Sequence, residues 1–241
     1  MHNVIRSILF NTLYYGSTAI LCILYVPTVL LPQRLYIKAL NLYFHYVAFL
    51  EKYVLGLSYV VIGKEHIPKD GPYIIAAKHQ SAYETLKLYI LFDNPAVILK
   101  KELFNIPLWG WLAKKAGHIG IDRSNRQTSV QSINDGARRV AEEGRAIIIF
   151  PQGTRVGIGQ TRPYKKGVAR MAEKIDLPII PLALNSGVFW PRNAFWKRSG
   201  TVTFKYLPVI PAGTPTDKIM KTLEHALESE SNKLTKEAKT K

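Results

Sequence analysis

Residues 7–33 carry no charged side chain, and an apolar run of that length has to be hidden from water, in a bilayer or in a core. As a helix, 8–31 would be about 36 Å long at 1.5 Å per residue, enough to cross the hydrocarbon of a membrane. Pro27 and Pro32 weaken its far end. A cleaved signal peptide fits poorly, because no small-x-small site precedes Arg34 and apolar sequence resumes directly after it. A buried core helix is the competing reading.

The next segment, 35–63, behaves differently. Lys38 and Glu51 leave only 12 uncharged residues between them, too few to span, while Tyr36, Tyr43, Phe44, Tyr46, Phe49 and Tyr53 give it the aromatic content of a membrane interface. It reads as a helix lying at headgroup level. One span plus this helix, or a two-helix hairpin entering one leaflet, both account for the pattern.

Charge separates this front from the rest. The chain of 241 residues has a net charge of +16, yet residues 1–63 hold four Lys/Arg and one acid, leaving 29 basic and 16 acidic residues beyond. Arg34, Lys38 and the basic body place the body on the cytoplasmic side, with the inner membrane of a bacterium as the expected setting. The single cysteine, Cys22, excludes an internal disulfide and a cysteine-based metal cluster.

Beyond Gly63 short strand patterns alternate with helical ones. Strands are expected at 59–62, 73–77, 96–99, 118–121, 146–150, 179–184 and 202–206, helices near 82–92, 104–115, 126–143, 165–175 and 216–230. The fold class is α/β: a layered domain with a mostly β core and flanking helices, preceded by a membrane-associated helical segment. The expected division is an anchoring segment 1–58, a body 59–230 and a flexible basic tail 231–241. Pro181, inside an apolar strand pattern, should lie at an edge or a bulge.

Three stretches carry chemistry. In Lys78-His79-Gln80-Ser81-Ala82-Tyr83-Glu84, a strand delivers a histidine to a loop and a carboxylate follows where a helix begins. A carboxylate that accepts one ring N–H fixes the tautomer and leaves the other nitrogen to take a proton. Ser81-x-x-Glu84 is also a capping box, and the two roles are compatible. The same spacing recurs at His225 and Glu230, but inside a helix five residues advance about 500°, which points those side chains roughly 140° apart. In Phe150-Pro151-Gln152-Gly153-Thr154-Arg155, Pro and Gly force a tight loop that ends in a guanidinium able to grip a phosphate, or in an ordinary exposed turn. Lys165 and Lys166 add cations before the next helix. The stretch from Lys100 through Pro107 and Trp109 to Gly117 and Ile121-Asp122-Arg123 sets an apolar half between basic ends, or is a core-packed helix with solvated lysines.

In this order, with Ile180-Pro181 as a fourth block, these stretches resemble the glycerolipid acyltransferase superfamily, and within it the 1-acylglycerol-3-phosphate acyltransferases. The resemblance covers roughly residues 60–210. Two positions depart from the family pattern: Glu84 stands for the usual Asp, so contact with His79 is made through one more methylene, and Gln152 stands for the usual Glu, so it cannot exchange a proton.

The resemblance implies that His79, poised by Glu84, deprotonates the sn-2 hydroxyl of a lysophospholipid for attack on acyl-CoA or acyl carrier protein, giving phosphatidate. It implies that Lys100, Arg123, Gln152, Gly153, Thr154 and Arg155 bind the acceptor. Backbone amides at the helix start after His79 are the expected oxyanion donors. With no Gly-x-Ser-x-Gly elbow, metalloprotease helix or Walker loop, direct transfer is expected, with neither metal nor nucleotide cofactor. The expected partners are the acyl donor, the lysophospholipid and the bilayer, and not nucleic acid, for which no binding module is present. A different lyso-lipid such as a lyso-aminolipid, or a non-catalytic role in binding anionic lipid, are the alternatives that Glu84 and Gln152 keep open.

Overall fold

The computed structural model describes residues 2–122 and 126–240. In chain order the elements are α1 (His2–Tyr25), α2 (Gln33–Leu50), β1 (Leu57–Ile62), β2 (Ile74–Ala77), α3 (Tyr83–Leu91), β3 (Ala96–Lys100), α4 (Trp109–Lys115), β4 (Ile119–Ile121), α5 (Arg126–Glu142), β5 (Ile147–Ile149), α6 (Gly167–Ile175), β6 (Ile179–Leu184), α7 (Ser186–Phe189), β7 (Gly200–Tyr206) and α8 (Thr216–Lys239). The seven expected strands all form, and join one sheet in the order β1-β7-β6-β2-β5-β3-β4. Among the described strands, β6 and β7 alone pair antiparallel.

The strand residues split the core in two, because successive side chains point to opposite faces. Ile74, Ala76, Ile147, Ile149, Ile179 and Ala183 pack against α5, α6 and α8. Ile75, Ala77, Ile148, Ile180, Leu182 and Leu184 pack on the other side, with Tyr83, Val47, Leu50 and Phe204. Helix α5 buries Ile133, Ala137 and Val140, and α8 buries Ile219, Leu223 and Leu227, each at helical spacing.

Pro181 sits in an inner strand and is accommodated by a bulge. The Leu207 amide donates to Pro181 O at 2.9 Å. The next bridge joins Ile179 to Ile210, one residue further than an unbroken ladder would reach. Tail residues 231–239, expected to be flexible, are instead helical. Leu234 and Thr235 are buried there, the Leu184 amide reaches Ser231 Oγ at 3.4 Å, and Asn185 Nδ2 donates to Leu234 O at 3.1 Å. Polar contacts with the end of β6 hold what composition alone would let fray.

The front is a helical pair laid on the body. Helix α1 and the turn after it, Asn3–Leu30, form one apolar run of 28 residues, and α2 turns back along it: Tyr25 OH donates to Ala39 O at 2.9 Å and Thr18 Oγ1 meets Tyr43 OH at 3.1 Å. Both ends of α1 touch the body. Near its start, Lys197 N donates to Ser7 Oγ at 2.9 Å and Asn11 Nδ2 to Phe195 O at 3.0 Å. At its far end Tyr25 and Val29 pack into a cluster with Tyr36, Leu112 and Ala116. Glu51, expected among the headgroups, is buried and paired with Lys87 of α3. Leu35, Leu42 and Phe49 remain exposed along α2, one every two turns.

Candidate functional site

Five parallel strands, β6, β2, β5, β3 and β4, end at one edge of the sheet. The crevice beyond the carboxyl ends of parallel strands is where such sheets place ligands. Strand β2 delivers His79 there, β5 the loop 150–155, β3 Lys100 and β6 Ser186.

His79 Nδ1 lies 2.8 Å from Glu84 Oε1. The same oxygen accepts the amides of Gln80 at 2.8 Å and Ser81 at 2.7 Å, while Oε2 accepts the Ser186 hydroxyl at 2.7 Å. Ser81 Oγ in turn accepts the Tyr83 amide at 3.1 Å. Glu84 therefore closes the start of α3 and orients the histidine at once. Only 1 % of its side chain is exposed, so solvent does not compete for these bonds. With Nδ1–H donated to the carboxylate, Nε2 is the acceptor that remains.

The ring is fixed from its face as well. Phe150 stacks on His79 with centroids 4.0 Å apart and an interplanar angle of 22°. The Val156 amide donates to His79 O at 2.8 Å, which ties the two loops together. Gly153 turns the second loop with φ +69°, and a Cβ there would stand 2.9 Å from Lys165 Cε, so glycine is strongly favoured at the position.

A cavity of about 1230 Å³ opens beside His79. One wall is apolar, built from α1 to α4, with Leu21, Leu40, Phe44, Leu88 and Leu112 among its residues. The same lining also holds cations: Lys100, Arg155, Lys165, Lys166 and Arg170. One cavity thus offers a base, room for a hydrocarbon chain and a patch for an anion.

His79, Lys100, Gly153, Thr154 and Arg155 all line this cavity. Gln152 does not: it is fully buried and its Oε1 receives the His79 amide at 3.4 Å, so it braces the loop. Arg123 lies outside the described residues. The amides at the start of α3 cannot all serve an oxyanion, since those of Gln80 and Ser81 are given to Glu84 and that of Tyr83 to Ser81. A second histidine on the wall, His118, is no rival base. The Val97 amide donates to its Nδ1 at 3.1 Å, and burial with help from Arg145 pushes its pKa down to about 3.

Sequence reasoning missed Ser186, Phe150 as a stacking partner, and Arg170. Ser186 follows an entirely apolar strand at the sheet's carboxyl edge, and that placement is the one local signal it carries.

Known proteins similar to this chain show its family and its fold. A family described as Acyltransferase matches residues 58–185. A 1-acyl-sn-glycerol-3-phosphate acyltransferase from Pseudomonas aeruginosa is 30% identical over 86% of this chain and 81% of its own. One from Limnanthes alba is 36% identical over 70% of this chain and 60% of its own, so the match spans less than two thirds of that longer relative. The crystal structure of a 1-acyl-sn-glycerophosphate acyltransferase from Thermotoga maritima superposes with a TM-score of 0.75, covering 97% of this chain and 98% of that one at 21% identity, which speaks for the fold. The chain belongs to the acyltransferase family.

Proposed function

We propose that this acyltransferase transfers a fatty acyl group to the sn-2 hydroxyl of 1-acyl-glycerol-3-phosphate, forming phosphatidate. The observation that carries the reading is one cavity lined by His79, oriented by Glu84, by many apolar side chains and by cations that include Arg155. The names of the relatives, 1-acyl-sn-glycerol-3-phosphate acyltransferases, support the choice of acceptor.

In the reaction, His79 Nε2 takes the hydroxyl proton as the oxygen attacks the thioester carbonyl of acyl-CoA or acyl carrier protein. The C–S bond breaks, the thiolate leaves, and the imidazolium gives its proton to that sulfur. Glu84 stabilises the imidazolium while it exists and keeps Nε2 aimed at the cavity. Arg155 and Lys100 hold the phosphomonoester, the guanidinium through paired hydrogen bonds.

The front serves as a monotopic anchor. With both ends of α1 against the body, the helical pair lies in one leaflet with its exposed apolar side in lipid, and the cavity faces the surface where the acceptor resides. The basic body belongs on the cytoplasmic face.

The test is transfer by detergent-purified protein from acyl-CoA and from acyl carrier protein, with lysophosphatidate and a phosphate-free lyso-lipid as competing acceptors. Lysophosphatidate should be preferred. Arg155→Ala should raise its KM about 10- to 100-fold, the loss of about 1.5–3 kcal/mol expected for a hydrogen bond to a charged group, and should leave kcat much less affected. Equal use of the phosphate-free acceptor by the wild type would refute the phosphate grip.

A further inference from the structure

The anchor leaves one surface feature unexplained. In the loop 191–199, between α7 and β7, Phe195 and Trp196 stand side by side in an edge-to-face pair with centroids 4.8 Å apart, and are 52% and 54% exposed. Large rings that open to water are kept where they meet something apolar.

The loop is built to hold them out. Lys197, between the pair and Arg198, is buried: its ammonium donates to Asn11 Oδ1 at 2.5 Å and to Phe195 O at 3.2 Å, over the Trp190 ring at 4.5 Å. Asn11 Nδ2 donates to Phe195 O at 3.0 Å, and Ser199 Oγ meets Asn3 Oδ1 at 3.3 Å. These contacts use one side of α1, through Asn3, Ser7 and Asn11. Val4, Ile5, Ile8 and Leu9, interleaved with these contacts along the same helix, are exposed, so the aromatic pair is held by an α1 turn that itself presents apolar side chains to the outside.

The charge around it has one sign. Arg192 and Arg198 lie in the loop itself, Arg6 lies on the turn of α1 that it contacts, and the chain has no Asp or Glu between Asp176 and Asp217. Aromatic rings and arginines on a stretch of chain without acids match the chemistry of an anionic bilayer surface: rings at the level of the glycerol backbone, guanidinium groups on phosphates.

We propose that the loop 191–199 is a second bilayer contact, with Phe195 and Trp196 in the lipid interface and Arg192 and Arg198 on anionic headgroups. This rests on the monotopic anchoring proposed above and adds a second point of attachment. It also connects the bilayer to the acceptor grip, because Arg192 Nη1 donates to Arg155 O at 2.9 Å. Lipid contact and phosphate binding then share one stretch of backbone.

The test places an environment-sensitive NBD group at Trp196→Cys, in the full chain with Cys22→Ser, and at Lys218→Cys on the exposed start of α8 as control. Each protein is added to vesicles of phosphatidylcholine with a minor share of phosphatidylglycerol, with and without brominated acyl chains. The expected result is a blue shift and quenching by bromine at position 196 and neither at 218. If the protein co-sediments with the vesicles but 196 behaves like 218, the loop proposal falls and the anchor stands. If it does not co-sediment, both fall. A blue shift at 196 that needs no lipid and grows with protein concentration would mean that a second copy covers the pair, which also overturns the proposal.

Discussion

Glu84→Gln separates the two tasks that Glu84 performs. A glutamine keeps the shape, its Oε1 still accepts the Gln80 and Ser81 amides, and the Ser186 hydroxyl can turn to accept from Nε2. What goes is the negative charge 2.8 Å from His79 Nδ1. With charge centres about 4 Å apart and an effective dielectric near 20, that charge is worth about 4 kcal/mol to a full imidazolium. A transition state that develops half to all of the positive charge loses about 2–4 kcal/mol, a fall in kcat of about 30- to 1000-fold. Glu84→Ala also strands two buried amides and a hydroxyl, so it should cost at least about 3 kcal/mol of stability. The assay pairs kcat at saturating substrate with thermal unfolding of both variants. A kcat for Glu84→Gln within threefold of wild type, or a loss of stability matching that of Glu84→Ala, would refute the orienting role and leave a helix cap.

Ser186→Ala removes the donor to Glu84 Oε2 but leaves the His79 contact in place. We expect kcat to fall about 5- to 30-fold, from about 1–2 kcal/mol of lost positioning, with KM little changed; a change confined to KM would contradict this. Lys87→Met strands Glu51 in the core and should cost about 3–5 kcal/mol near pH 8, while Lys87→Met with Glu51→Leu should recover most of that. Burial pushes Glu51 up from 4.5 to about 7, against the pull of Lys87. A carboxyl raised on folding contributes stability that is full below its unfolded pKa and lost as pH rises through its folded one, so the single variant should suffer less at pH 5 than at pH 8. Thermal melts across that range check the sign, and an equal loss at both ends would contradict it.

The elements of the fold were legible because each strand is a short apolar run bounded by turns, and alternation within β2 and β5 already divides their residues between two faces. Their order in the sheet was not. Placing β2 between β5 and β6 pairs Ile74 with Ile147 and Ile179, 73 and 105 residues further on, and no local pattern encodes that. His79 and Glu84 could be told from His225 and Glu230, which share their spacing, because one histidine lies in a loop ahead of its helix and the other inside one. His225 is indeed exposed, and Glu230 pairs with Lys205 at 2.7 Å. Ser186 escaped because its partner is 102 residues away. Glu51 was misread because a charge amid apolar sequence looks the same whether water or a buried lysine receives it.

The central claim is that His79 Nε2 removes the acceptor proton. The direct measurement is acyl transfer to lysophosphatidate by His79→Ala beside wild type, with thermal unfolding and lysophosphatidate binding followed on both. A general base contributes about 10²- to 10⁴-fold, so turnover should fall by at least that much while folding and acceptor binding persist. A His79→Ala protein that binds the acceptor and turns over at the wild-type rate would contradict the account.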